Sequence, residues 1–168
     1  MAKTEENLKA AFAGESQANR KYLAFAKRAD QEGFPQIARL FRAVAEAETV
    51  HAHAHLRTLK GVKSTAENIK AAIEGEHYEF TQMYPEFLKA AQVEGEKAAE
   101  RSFNYANEVE KIHHELYNQA LKAATEGKDL AESKIYVCGV CGHTHIGGEA
   151  PENCPICNAS QKAYILIE

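Results

Sequence analysis

Apolar residues recur at three- and four-residue spacing along most of this chain, the period of an amphipathic helix with one buried face. Four runs carry the pattern: Leu8, Ala11, Phe12, Ala18, Tyr22, Phe25, Ala26 and Ala29; then Ile37, Leu40, Phe41, Val44, Ala52, Leu56 and Leu59; then Ile69, Ala72, Ile73, Phe80, Met83 and Phe87; and last Phe103, Ala106, Val109, Leu116, Tyr117, Ala120 and Leu121. Breakers separate them at Gly33-Phe34-Pro35, at Gly61-Val62-Lys63-Ser64 and, more softly, at Glu94-Gly95. Ser64 with Glu67 three residues on makes a capping box that fixes the start of the third helix. Within that helix Pro85 removes an amide donor, which predicts a kink.

Each stripe is interrupted by groups that do not belong in an apolar core. Glu15 falls in the first, Glu48 and His51 in the second, Glu76 and Glu79 in the third, Glu110 and His113 in the fourth. Any one of these glutamates reads as a boundary residue whose head reaches water. All seven together ask for a buried cation, because a charge inside a bundle costs several kcal/mol unless it is paired or metal-bound. The arms on either side of the helix breaks are similar in length, which brings the groups to one height. A glutamate pair plus two Glu-x-x-His pairs, here Glu48-x-x-His51 and Glu110-x-x-His113, is the ligand pattern of ferritin-like dinuclear carboxylate proteins. The fold class expected is therefore an all-α four-helix bundle, ferritin-like, over residues 1–133.

Composition changes at Ala131-Glu132-Ser133-Lys134. From Lys134 onward Gly, Pro, Cys and β-branched residues replace the helix formers, and a segment this short rarely folds without a staple. The staple is legible in two Cys-x-x-Cys pairs, Cys138 with Cys141 and Cys154 with Cys157, whose spacing places four thiolates around one tetrahedral metal. Four sulfurs suit zinc and iron alike. Residues 134–168 are expected to form a small β-rich metal-binding domain.

The rest of the composition excludes more than it assigns. The chain has 168 residues, 45% hydrophobic and 26% charged, as an ordinary globular protein does. A net charge of -4 gives no case for nucleic-acid binding, and the apolar runs fall short of the roughly 20 residues that span a bilayer. No export signal is visible near the N-terminus, so the cytoplasm is the expected location, where clustered cysteines are read as a metal site before disulfides. No Gly-x-Gly-x-x-Gly turn is present to hold a nicotinamide or flavin dinucleotide.

Longer stretches extend the pattern. Ala13-Gly14-Glu15-Ser16-Gln17-Ala18, Glu46-Ala47-Glu48-Thr49-Val50-His51-Ala52, Gly75-Glu76-His77-Tyr78-Glu79, Met83-Tyr84-Pro85 and Glu110-Lys111-Ile112-His113, followed by the four cysteines, resemble rubrerythrin over essentially the whole chain. That resemblance implies a cofactor of two iron ions, with Glu48 and Glu110 bridging, Glu15 terminal on one iron, and Glu76 with His113 on the other. It implies that Glu79 and His51 exchange on the first iron, Glu bound in the oxidised state and His in the reduced one. Charge counting supplies a reason: replacing a carboxylate by neutral imidazole removes one negative charge when the metals lose positive charge. Tyr22 and Tyr84 stand where a hydroxyl could hold a bound or displaced carboxylate, and either could equally be an aromatic core residue. His55 reads as a supporting residue one turn from His51, whereas His53, His77, His114, His143 and His145 read as surface or packing residues.

The tail resembles a rubredoxin module in its Ile135-Tyr136-Val137-Cys138 strand, its Ala150-Pro151-Glu152 approach and its Tyr164-Ile165-Leu166-Ile167 closing strand, implying one iron at Cys138, Cys141, Cys154 and Cys157, replaceable by zinc in a purified sample. Gly142 follows the second cysteine where a left-handed turn is expected, and Asn158 occupies the position where rubredoxins place Gly. The implied activity is reduction of hydrogen peroxide to water in oxidative-stress defence, with electrons passed through the four-cysteine iron from an external redox partner, a rubredoxin or an NAD(P)H-dependent reductase. The alternative is iron oxidation and handling by a ferritin-like protein.

Connectivity bears on assembly. In ferritin-like topology the second and third helices run parallel, and roughly 35 Å separates Lys60 from Thr65 if the ligands are level. Four loop residues reach only about 15 Å. Either the bundle is up-down-up-down, or the first two helices are exchanged with a second copy. The resemblance favours the second arrangement, a domain-swapped homodimer.

Overall fold

The computed structural model describes residues 3–168. It divides into two compact units, Met1–Lys63 and Ser64–Glu168. The first is a helical hairpin of α1 (Lys3–Gln31) and α2 (Pro35–Thr58). Its turn is built as the breakers predict: Gly33 takes a φ of 82°, which costs a Cβ-free residue nothing, the Phe34 amide returns to the Ala29 carbonyl, and Pro35 opens α2 where its missing amide has no partner to lose.

Small residues form the contact between these two helices. Ala26, Ala29, Ala38, Ala45 and Ala52 are all buried, so the backbones approach closely. Asn19 clasps them: its Nδ2 donates to the Ala45 carbonyl and to Thr49 Oγ1, each at 2.7 Å. This bond fixes the sliding register of α1 on α2, with Glu15 one turn before Asn19 and Glu48 beside Thr49. Sequence reading had no reason to single out Asn19.

The second unit begins with α3 (Thr65–Tyr78), started by the expected capping box: Glu67 N–H donates to Ser64 Oγ and Ser64 N–H to Glu67 Oε2. A π turn, Glu79–Met83, leads into α4 (Tyr84–Glu94). Pro85 cannot supply the amide an α-helical turn needs, and the kink predicted for it takes the form of this widened turn. Gly95, at φ 75°, ends α4, and α5 (Lys97–Thr125) packs against both α3 and α4. Strands β1 (Lys134–Cys138), β2 (Thr144–Gly147) and β3 (Tyr164–Ile167) form an antiparallel sheet in the order β2-β1-β3, with Tyr136 opposite His145 on one side and Leu166 on the other. The small sheet seats on α5: Val109 is buried, with its Cγ1 3.8 Å from where a Cβ on Gly142 would lie. A helical part and a small β-rich part are thus both present, and no described helix is long and apolar enough to cross a membrane.

Candidate metal centres

Seven of the nine helical-part residues singled out from the sequence fall into two ligand groups plus one neighbour. In the first unit, ligand atoms of Glu15, Glu48 and His51 lie within 4.8 Å of one another; in the second, those of Glu76, Glu110 and His113 do the same. Helical periodicity makes the match inside each Glu-x-x-His pair, with His51 Nδ1 2.9 Å from Glu48 Oε2 and His113 Nδ1 2.7 Å from Glu110 Oε2. The two units repeat further. Tyr22 packs on Phe25 and Phe41, and Tyr84 on Phe87 and Phe103. Tyr22 follows Glu15 by seven residues and Tyr84 follows Glu76 by eight; the extra residue falls where the π turn widens the helix.

That widened turn starts at Glu79, which in the repeat stands where α1 has Ala18. Glu79 is therefore the carboxylate without a counterpart. Its charge acts on Glu76, and Glu110 acts on it in return. Burial, then a shared hydrogen bond with Glu110, pushes the Glu76 carboxyl up to about 7. Burial alone would raise Glu110 as well, but hydrogen bonds from His113 and Glu76 outweigh it and hold Glu110 below the usual carboxylate range. His113 is raised by its hydrogen bond to Glu110. The Tyr84 hydroxyl is raised by burial and then by the negative field of Glu79, Glu110 and Glu76. Crowded carboxylates that must share a proton, beside an imidazole on the same side, are a donor set suited to multivalent cations with oxygen and nitrogen ligands.

The side chains of Glu48, Glu76, Glu110 and His113 are mostly covered, but that of His51 is 56% exposed. The α1–α2 hairpin by itself has one layer of helices, and a side chain on its open face is covered only by its own neighbours.

The four cysteines also converge. All four Sγ atoms lie within 4.8 Å of one another, with Cys138 and Cys157 3.7 Å apart and Cys141 and Cys154 3.5 Å apart. A disulfide is near 2.05 Å, whereas the edge of a tetrahedron with metal–sulfur bonds of about 2.3 Å is about 3.8 Å. The geometry is that of a metal site. Two matching knuckles build it: the Gly142 amide donates to the Cys138 carbonyl and Cys138 to His143, and likewise Asn158 to Cys154 and Cys154 to Ala159. Gly142 and Asn158 have φ of 87° and 59°, so Asn at 158 keeps the left-handed turn. Burial raises the Cys154 thiol, but hydrogen bonds from the Tyr164 hydroxyl and from the Cys157 and Ile156 amides overcome it and bring the thiol down to about 6.

Two residues read as inconspicuous from sequence have definite partners here. His143, expected at the surface or in packing, is buried, with Nδ1 2.6 Å from the Tyr164 hydroxyl that bonds Cys154. Thr144 Oγ1 lies 3.0 Å from His113 Nε2. Both contacts join elements far apart in the chain, and no local pattern announces them.

Fold and site together define a class: a helical carboxylate–histidine metalloprotein carrying a tetrathiolate module, with donors that fit two irons and one further iron. The family model described as Rubrerythrin matches residues 6–121, and the one described as Rubrerythrin, rubredoxin-like domain matches residues 136–165. Rubrerythrin-2 of Clostridium acetobutylicum is 39% identical over 97% of this chain and 96% of its own length. Nigerythrin of Nitratidesulfovibrio vulgaris is 39% identical over 92% of this chain and 81% of its own. A solved structure of nigerythrin in its fully reduced, all-ferrous state is similar with a TM-score of 0.59 at 35% identity, covering 99% of this chain and 88% of that one. The chain belongs to the rubrerythrin family.

Proposed function

We propose that this protein is a hydrogen peroxide reductase of oxidative-stress defence. The observation that carries the reading is the combination in one chain of two Glu/Glu-x-x-His groups, the unmatched carboxylate Glu79, and a tetrathiolate site. Bound as a ferrous pair, the irons supply the two electrons that, with two protons, turn one hydrogen peroxide into two waters. Glu15, Glu48, Glu76, Glu110 and His113 would hold the metals in both oxidation states, with Glu79 and His51 as the ligands that would exchange on one of them. Glu79 stands at the start of the widened turn, where the second unit departs from the first. Once displaced, the Glu79 carboxylate carries a proton, and the Tyr84 hydroxyl is placed to hold it. Tyr22, packed against Phe25 and Phe41, is the corresponding hydroxyl of the first unit.

Cys138, Cys141, Cys154 and Cys157 hold a one-electron iron that passes electrons from an external donor, a rubredoxin or an NAD(P)H-dependent reductase. We assign the two modules to residues 1–133 and 134–168, the first two residues lying outside the described ones, and place the protein in the reducing cytoplasm, consistent with four unbridged cysteines. The assembly is a domain-swapped homodimer. Supporting this, Phe25, Ile37 and Leu40 lie on predicted core stripes yet are 47%, 49% and 63% exposed in the single chain. The connection between Thr58 and Thr65 reaches about 25 Å at most, short of the roughly 35 Å that a parallel arrangement within one chain needs.

Anaerobic mixing of the reduced, metal-quantified protein with peroxide and, separately, with oxygen tests the activity. Oxidation of the iron pair that is faster with peroxide, with no iron released, is the expected result. Faster reaction with oxygen and release of ferric iron would establish the iron-handling alternative instead.

A further inference from the structure

The two imidazoles of the helical ligand groups are held differently. His51 and His113 stand at the same place in the repeat, and each presents Nδ1 to the glutamate three residues before it. The far side of the His113 ring is also engaged. His113 Nε2 lies 3.0 Å from Thr144 Oγ1, and that hydroxyl donates to the Gly142 carbonyl at 3.3 Å. A hydroxyl has one proton; once it is given to Gly142, the oxygen meets His113 as an acceptor. The chain of donors therefore runs from His113 Nε2–H to Thr144 to Gly142. In the metal-free protein Nδ1–H bonds Glu110, with Glu76 Oε2 4.0 Å away; with Nε2–H held by Thr144, Nδ1 is the nitrogen that would give up its proton to take a metal between those carboxylates.

The anchor at the other end is firm. Gly142 is the left-handed residue of the first cysteine knuckle, with its amide bonded to the Cys138 carbonyl. Thr144 is the first residue of β2, paired with Val137 of β1. Apolar Leu116, Ile135 and Ile146 line a cavity beside the contact and offer the ring no competing polar partner. His51 has no comparable partner among the described hydrogen bonds and is more than half exposed.

We propose that Thr144 is a positioning residue that makes His113 a permanent metal ligand: its hydroxyl fixes the imidazole as the Nε2–H tautomer and locks the ring, while the unanchored His51 remains free to exchange. The inference rests on the di-iron reading above and adds to it a reason why one of two equivalent histidines stays bound. It also makes the folded cysteine module part of the helical site's support, since Thr144 keeps its place only while the Cys138–Cys141 knuckle is formed.

The test uses the full-length protein as wild type, Thr144→Val and Thr144→Ser. Two quantities are read: ferrous-ion affinity of the helical site by anaerobic competition with a chelator, and deuterium exchange of the paramagnetically shifted ring N–H protons of the diferrous protein. The isosteric Val variant is expected to weaken affinity about ten- to hundredfold and to speed exchange of one ring proton, with Ser restoring both to within about threefold of wild type. The visible absorption of the four-cysteine iron reports that the module is folded in each. Val behaving as wild type in both quantities overturns the proposal, and so does Ser behaving as Val, since packing rather than the hydroxyl would then be at work. Wild type that binds no ferrous ion at the glutamates and histidines is a different result: it removes the di-iron reading itself.

Discussion

The Tyr84 amide donates to the Glu79 carbonyl five residues back, one bond of a π turn in an otherwise α-helical arm. Through it the second unit gains a residue relative to the first, and the carboxylate at its start has Ala18 as counterpart in α1. Metal-ligand symmetry between the two units is broken at this point. Glu79 and Tyr84 stand at the two ends of the turn, and the charges of Glu76, Glu79 and Glu110 act on the Tyr84 hydroxyl.

Replacing Tyr84 by Phe keeps the aromatic packing on Phe87 and Phe103 and removes only the hydroxyl. Iron stoichiometry is expected to stay at the wild-type value while the stopped-flow rate with peroxide falls by about tenfold or more, the scale of a positioned proton-handling group. An unchanged rate assigns Tyr84 to packing alone.

Asn19→Ala removes both bonds of the α1–α2 clasp and leaves the Ala45 carbonyl without that donor. Chemical denaturation of the metal-free protein is expected to show a loss of about 1–3 kcal/mol. Thr49→Ala, which leaves the Ala45 bond intact, is expected to cost less.

What sequence could reveal here follows from how local each feature is. Glu48 with His51, Glu110 with His113 and the cysteine pairs are held at fixed spacing by a helix turn or a knuckle, so their convergence is written in the numbering. The Ser64 cap and the turn at Gly142 are equally local. Pro85 announced a disturbance but not its form, because a π turn depends on which carbonyls the neighbouring amides reach. Asn19, His143 and Thr144 stayed invisible because their partners lie 30, 21 and 31 residues away on other elements.

Cys154→Ser removes one thiolate and the acceptor of the Tyr164 hydroxyl. The thiolate-to-iron absorption is expected to disappear, with far-ultraviolet circular dichroism nearly unchanged because the long helices lie outside the module. If the wild type reconstituted with iron stays colourless at this site, the electron-relay role is lost.

The proposed exchange of helical hairpins between copies would have a consequence that single-chain bundles cannot imitate. Glu48→Ala and Glu110→Ala each remove a ligand from a different unit, and each alone is expected to lower iron binding by tenfold or more. When the two variants are refolded together, a swapped heterodimer contains one doubly damaged site and one intact site. Recovery of iron binding and peroxide reduction in the mixture is therefore expected, and no recovery points to ligands drawn from one chain.

Peroxide reduction as proposed requires that the helical glutamates and histidines hold a redox-active iron pair. The direct measurement is Mössbauer spectroscopy of iron-57-loaded protein, reduced and then mixed with one equivalent of hydrogen peroxide. It is expected to show two ferrous ions in oxygen and nitrogen coordination becoming two coupled ferric ions, separate from the tetrathiolate signal and abolished by Glu110→Ala. Iron confined to the cysteine site, or a helical iron signal indifferent to Glu110, would contradict it.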